Sequence, residues 1–344
     1  MLLIAFGTRP EWIKIRPLID EINGVIPYRL LFTGQHTDIV DSSLNNYEYR
    51  TLSINQTMSS NRLDSIVCSI MSDIDDHLEG VTHVMVQGDT TTVFGVALAC
   101  FHRGVKVIHL EAGLRTWDNK QPYPEEFNRQ AVSSIADIHL CPTKSSMKNL
   151  ISEGRHHNSE VYVVGNTVLD NLRNQLPNQD YQVLVTLHRR ENHKNIAEWF
   201  SVINKIAEEN TDLFFVLPIH PNPNVLEHKD ILTNVEVCDP LPHHYLLKHL
   251  KDSRLVITDS GGIQEEAAYF HKPCIVCREK TERLEGVNEF SWLCKTPSEL
   301  INIFNKLKNS KIDQSLPCPY GDGFASTKIK QILNGEFRHS KQVL

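Results

Sequence analysis

At 344 residues the chain is long enough for two domains with real hydrophobic cores, which excludes miniature stapled folds. Hydrophobic residues make up 40% and charged residues 22%, with 16 Gly and 16 Pro, so disordered and collagen-like chains are excluded as well. The formal net charge is −7 and no long basic run occurs, which excludes a broad nucleic-acid-tracking surface but leaves room for a local cation cluster around one anion.

In chain order, short apolar runs predict strands at Leu2–Phe6, Arg29–Thr33, His83–Gln87, Lys106–Leu110, Ile138–Leu140 and Val161–Val164. A second series follows at Gln182–Leu187, Leu213–Pro218, Val235–Cys238, Leu255–Thr258 and Cys274–Val276. Between them, apolar residues at three- and four-residue spacing predict helices over Glu11–Asn23, Asp64–Asp76, Thr91–Arg103, Lys144–Glu153, Ile196–Glu209, Pro242–Lys251 and Ile263–Phe270. Alternating strands and helices predict the α/β class with parallel sheets. Two series predict two Rossmann-like domains, over 1–170 and 171–323, joined by the polar, proline-containing stretch Asn171–Tyr181.

No apolar stretch approaches the roughly 20 residues that span a bilayer, and Met1–Phe6 runs into Gly7-Thr8-Arg9-Pro10 without a cationic start or a cleavage site. The expectation is a soluble, cytoplasmic protein without membrane or nucleic-acid partners. Eight cysteines scattered from Cys68 to Cys318 predict reduced, buried thiols rather than a disulfide framework. Cys274-Ile275-Val276-Cys277 has the spacing of a redox or half-zinc motif, but it stands without a second pair inside an apolar run and reads as core. H-E-x-x-H, G-x-G-x-x-G and Walker A patterns are absent, so neither a metal nor a dinucleotide cofactor is expected.

Ligands of open α/β sheets bind beyond the carboxyl ends of the strands, and five segments place chemistry there. Gly7-Thr8-Arg9-Pro10-Glu11-Trp12-Ile13-Lys14 offers two cations after the first strand; a capped helix start with Lys14 in solvent explains it equally well. Asp259-Ser260-Gly261-Gly262-Ile263-Gln264-Glu265-Glu266 opens a helix with two side-chain-free residues, the kind of N-terminus on which a diphosphate sits, the alternative being an ordinary Ser cap. Glu265 and Glu266 would repel a phosphate, so at least one should accept from neutral hydroxyls such as a ribose diol.

The third and fourth segments carry carboxylates, Gln87-Gly88-Asp89-Thr90-Thr91-Thr92 and His109-Leu110-Glu111-Ala112-Gly113-Leu114-Arg115-Thr116, and a further pair outside the five lies in Pro122-Tyr123-Pro124-Glu125-Glu126-Phe127-Asn128-Arg129. Singly, Asp89 reads as a helix cap and Glu126 with Arg129 as a surface pair. Jointly, carboxylates on one cleft push each other's pKa values apart and allow an acid and a base to coexist. The fifth segment, His188-Arg189-Arg190, ends the first strand of the second series with cations that a core cannot bury. His220-Pro221-Asn222-Pro223-Asn224 follows another strand end.

The ordered set GTRPEWIKIRPL, QGDTTT, LEAGLRT, PEEFNR, GNTVLDNL, TLHRRENH, TDSGGIQEEA and PYGDG, from Gly7 to Gly323, resembles the non-hydrolysing UDP-N-acetylglucosamine 2-epimerase family. The resemblance implies two Rossmann-like domains facing a cleft in the glycosyltransferase-B arrangement. It also implies a C-terminal helix, about 324–344, returning to the first domain, and a homodimer made by that domain. The implied reaction interconverts UDP-GlcNAc and UDP-ManNAc, without a cofactor, by anti elimination of UDP to 2-acetamidoglucal and re-addition, supplying ManNAc for surface polysaccharide. It puts catalysis on Asp89, Glu111, Glu125 and His188, and substrate binding on Arg9, Lys14, Arg129, Ser260, Gly261, Gly262 and Glu266, the last on the ribose.

Departures are Leu284 where proline is usual, Trp117 where glycine is common, and a short C-terminal region. Gln35-His36-Thr37-Asp38 and Ser60-Asn61 match only in part the surface on which some members bind a second UDP-GlcNAc. Rival readings are a sister epimerase of a UDP-diacetamido-uronic acid and, further off, a glycosyltransferase of the same architecture, which leaves the three carboxylates unexplained. A non-catalytic nucleotide-sugar binder would need none of the three.

Overall fold

Leu2, Ile4 and Phe6 pack on one side of the first strand and Leu3 and Ala5 on the other, and all five are buried, as a strand covered on both faces requires. The computed structural model in which this is seen describes residues 1–35, 42–173 and 181–339. Residues 174–180 of the expected linker and 36–38 of the candidate second-site segment lie outside the described residues.

The chain divides into two compact units, one of Met1–Asn171 with Gly323–Leu344 and one of Leu172–Asp322. The described strands of the first unit are β1 (Leu2–Phe6), β2 (Tyr28–Phe32), β3 (Arg50–Thr51), β4 (His83–Gln87), β5 (Lys106–Leu110), β6 (Ile138–Cys141) and β7 (Glu160–Val163), in the order β3-β2-β1-β4-β5-β6-β7. Those of the second are β8 (Gln182–Thr186), β9 (Phe214–Pro218), β10 (Glu236–Cys238), β11 (Ser253–Thr258), β12 (Cys274–Cys277) and β13 (Ser291–Cys294), in the order β10-β9-β8-β11-β12-β13. Every pairing among these strands is parallel. Strand order reverses between β1 and β4 in one unit and between β8 and β11 in the other, the switch points at which such sheets bind ligands.

The first unit carries α1 (Arg9–Ile22), α2 (Arg62–Asp73), α3 (Thr91–His102), α4 (Glu125–Ser133) and α5 (Lys144–Ser152); the second α6 (Ile196–Glu209), α7 (Pro223–Leu226), α8 (His243–Lys251), α9 (Gly261–Tyr269) and α10 (Pro297–Leu307). A last helix, α11 (Ala325–His339), packs against α1 and buries Ile329 and Leu333 in the core beneath β1. Asp170 fixes its start by accepting the Ala325 and Ser326 N–H groups at 3.0 and 2.7 Å. In the second unit, Ile196, Trp199, Phe200 and Ile203 recur at helical spacing on α6 and pack with Leu300 and Phe304 of α10 over β8 and β11.

The sequence reading omits β3, β13, α4, α7 and α10. Two exposed residues of β3 carry no apolar signal, and in β13 Ser291 interrupts the apolar run before Trp292, Leu293 and Cys294. The omission of α10 is different, since Thr296, Pro297 and Glu299 spell a helix start and Glu299 reaches back to the Lys295 N–H at 2.9 Å. Cys274 and Cys277 lie buried on β12 as free thiols, along with Cys100, Cys141 and Cys294. The expectation of buried thiols is corrected at Cys68, which is exposed, and at Cys238 and Cys318, which are partly so; helical period turns Cys68 outward while Ile66 and Ile70 face the core. Among the described residues no helix is long and apolar enough to cross a membrane.

Candidate active site

The first unit gathers its chemistry on loops at the β1–β4 switch point. Glu111 follows β5 with φ of 66°, a left-handed backbone that a non-glycine residue adopts only at a cost. That backbone brings its Oε2 within 2.5 Å of Lys14 Nζ, one of the two cations that the sequence offers to a phosphate, and into contact with the Gln87 amide at the end of β4. Asp89, two residues beyond Gln87, forms an ion pair with Arg129. It does not cap α3; Thr90 does, accepting the Val93 N–H at 3.3 Å. Glu125, half-buried, opens α4 four residues before Arg129 and so shares its face. The three carboxylates thus stand on successive segments linked by Lys14, Gln87 and Arg129. Arg9 is partly exposed at the start of α1, with its Nε buried and unpartnered.

Two buried groups hold these loops. Glu11 accepts the Gly7 and Thr8 N–H groups at 2.6 and 3.2 Å and the Thr90 hydroxyl at 2.5 Å, tying the β1 and β4 loops across the switch point. His109 donates Nε2–H to the Gly88 carbonyl at 2.8 Å, beside Asp89. Desolvation lowers the His109 pKa to about 4, outweighing that bond, so the ring is neutral near pH 7. Burial raises the Glu11 carboxyl from 4.5 to about 7, against the Thr90, Gly7 and Thr8 hydrogen bonds, with Asp89 adding to the rise.

The folded protein therefore retains a proton on Glu11 that the unfolded chain releases above its lower pKa. The stability from this group is complete below about 4.5 and is lost as pH rises through about 7, a loss of about 3 kcal/mol. Chemical denaturation at pH 5 and pH 8 should show wild type losing stability relative to Glu11→Gln. Parallel curves for the two proteins would contradict this assignment.

Glu126, read from the sequence as half of a surface pair, is fully buried. It accepts the Thr116 and Trp117 N–H groups at 3.0 and 3.1 Å, the Gln130 amide at 2.8 Å and Arg129 Nη1 at 3.2 Å. Trp117, at the position where the resembled family commonly has glycine, has φ of 61°, and its N–H bond to Glu126 helps to hold that left-handed backbone while the indole is largely exposed.

In the second unit the corresponding tie is Asp259, wholly buried, whose Oδ2 accepts the His188 and Arg189 N–H groups at 2.9 and 2.8 Å and the Asn192 amide at 3.0 Å. His188 projects partly exposed from the loop after β8, stacked on His220 with centroids 5.2 Å apart; Arg190 is exposed. Desolvation lowers the His188 pKa against the opposing pull of Asp259.

Ser260 precedes α9 without capping it; its own N–H donates to Thr258 Oγ1 at 2.9 Å. The N–H groups of the first turn of α9 are therefore not taken by a Ser260 cap. Gly261 lies against Arg283, with a Cβ at this position only 2.4 Å from Nη1, and Arg283 in turn donates Nε–H to buried Glu265 at 2.7 Å and contacts Glu282. At Gly262 a Cβ would meet only Ser260 Oγ, at 3.9 Å. Glu265 is thus occupied by Arg283, and Glu266 is the acidic residue left for a ligand; its Oε2 is buried without a partner.

Sequence reasoning assigns no role to Gln87, His109, Asn192, Asp259, Arg283 or His243, and treats Glu11 only as part of a helix start. For Glu11 a signal exists, since Thr8-Arg9-Pro10-Glu11 has capping-box spacing. The others carry no local pattern.

The sheets and their switch-point loops define a two-unit, Rossmann-like α/β protein with a carboxylate-rich edge on one unit and a glycine-opened helix on the other. The family model described as UDP-N-acetylglucosamine 2-epimerase matches residues 21–334, and the chain belongs to that family. It is 34% identical to the UDP-N-acetylglucosamine 2-epimerase of Salmonella borreze, with 95% of this chain and 96% of the relative covered. Identity to the Bacillus subtilis enzyme of the same name is 35%, covering 99% and 97%. A crystal structure of UDP-GlcNAc 2-epimerase from Neisseria meningitidis bound to UDP-GlcNAc superposes with a TM-score of 0.85 at 33% identity, covering 96% of this chain and 99% of that one.

Proposed function

We propose that the protein is a non-hydrolysing epimerase that interconverts UDP-GlcNAc and UDP-ManNAc. The observation that carries this reading is the placement of Asp89, Glu111 and Glu125 on successive switch-point segments, two of them paired with cations, in a chain of this family. One base takes the C2 proton while the anomeric C–O bond breaks, releasing UDP and leaving 2-acetamidoglucal. A UDP oxygen then re-adds at C1 as an acid delivers a proton to the other face of C2. Carboxylates in different environments supply both roles. Arg9, Lys14 and Arg129 offset negative charge on the substrate, and His188 stands near the diphosphate. Ser260, Gly261, Gly262 and Glu266 hold UDP, the glycines admitting phosphate to the open N–H groups of α9. On this reading the enzyme is a cytoplasmic homodimer, joined through the first unit, that supplies ManNAc for surface polysaccharide.

Incubation with UDP-GlcNAc alone in deuterated water tests the reaction. Deuterium at C2 in a mixture with UDP-ManNAc supports it; no exchange, with sugar transfer only after an acceptor is added, would replace it by a glycosyltransferase.

The two glycines give a separate check on the nucleotide site. Gly262→Ala adds a methyl group that meets no close protein atom and favours the helix, so the melting temperature should hold or rise while UDP affinity falls at least about tenfold. Gly261→Ala drives its Cβ into a guanidinium pinned by Glu265 and Glu282, and should cost about 1–3 kcal/mol of stability. Calorimetric UDP titration and thermal melts measure both; unchanged affinity in Gly262→Ala would remove UDP from α9.

A further inference from the structure

His243, the first residue of α8, sets the orientation of Glu266, the acidic side chain of α9 that Arg283 does not occupy. Its Nε2–H donates to Glu266 Oε1 at 2.7 Å, with the two side chains 15% and 3% exposed. The other carboxylate oxygen, Oε2, is buried with no hydrogen-bond partner, an arrangement that costs free energy unless a ligand supplies the donor. Gly262 and Glu266 are four residues apart and share a face, so Glu266 lies about 6 Å, just over one turn, along the helix from the open N–H groups. That is the span from a bound phosphate to the sugar of the same nucleotide. Glu265 cannot serve there, because Arg283 occupies it.

We propose that His243 is a positioning and specificity-determining residue: by engaging Oε1 it presents Oε2 to a sugar hydroxyl, so that the site requires a ribonucleoside diphosphate and rejects the deoxy form. The proposal rests on the reading of α9 as the UDP site and adds the residue that makes Glu266 selective. A site built to pair with a hydroxyl rejects the analogue lacking it, because its own polar atom is then left unpaired.

Calorimetric titration of the full chain with UDP, 2′-deoxy-UDP and 3′-deoxy-UDP tests it. Wild type should bind at least one deoxy analogue about 30-fold or more weakly than UDP. His243→Phe, which removes the donor, should bring the analogues within about threefold of UDP, and His243→Gln, whose amide Nε2–H reaches the same oxygen, should restore the wild-type ratio. If the phenylalanine variant does not fold, as judged by thermal melting, His243→Ala makes the same comparison. Undiminished discrimination in the donor-less variant overturns the role of His243. Tight UDP binding without discrimination in wild type overturns the proposal and leaves the UDP site standing, whereas no UDP binding removes the site itself.

Discussion

Asp89→Asn and Glu111→Gln are each expected to lower turnover about a thousandfold while UDP affinity stays within about threefold of wild type. Both changes keep side-chain shape and remove a titratable carboxylate. They leave untouched α9, the element assigned to UDP, whose glycines and Glu266 belong to the second unit. In Asp89→Asn the Arg129 guanidinium keeps its bond to Glu126, and in Glu111→Gln the amide oxygen still faces Lys14. Isotope exchange separates the two roles. A variant lacking the group that removes the C2 proton should lose exchange altogether. A variant lacking only the group that returns a proton to the opposite face should still expel UDP and accumulate 2-acetamidoglucal. Full activity in both variants would remove these carboxylates from the chemistry.

Glu126→Ala is expected to destabilise the protein by about 3–5 kcal/mol, lowering the melting temperature by about 10 °C. The carboxylate has no exposure and receives two backbone N–H groups, an amide and a guanidinium, so truncation removes the acceptor of three partly buried donors and of the buried Arg129 at once. Glu126→Gln, which keeps one acceptor oxygen, should lose about half as much. An exposed i,i+3 pair would contribute no more than about 1 kcal/mol, so a shift below about 2 °C would return Glu126 to the surface role read from the sequence.

Much of the fold was legible because parallel strands covered on both faces leave uninterrupted apolar runs, as in Leu2–Phe6 and Gln182–Thr186, and because α6 repeats its apolar residues at helical period. The edge strand β3 was not, since Arg50–Thr51 pairs with β2 through backbone bonds, which any residue type can make, whereas the edge strands β7 and β10 keep enough apolar residues to be read. The site divides similarly. Asp89 and Glu111 announce themselves as polar residues just beyond strand ends and Glu125 as one of a carboxylate pair, whereas Glu126 beside it has the same local pattern and a buried, structural setting.

The amino-acid order alone determined the class of fold, the two series of strands and the motifs that carry the family resemblance, because those depend on neighbours within a few residues. Only the tertiary structure decided that Glu11 and Asp259 tie their respective switch-point loops, that Lys14 faces Glu111, and that Arg283 occupies Glu265 while His243 engages Glu266. Each of these contacts joins residues brought together by a parallel sheet or a packed helix. Burial, which fixes whether a carboxylate is a proton carrier, a ligand contact or a structural acceptor, is a property of that packing and is absent from the local sequence.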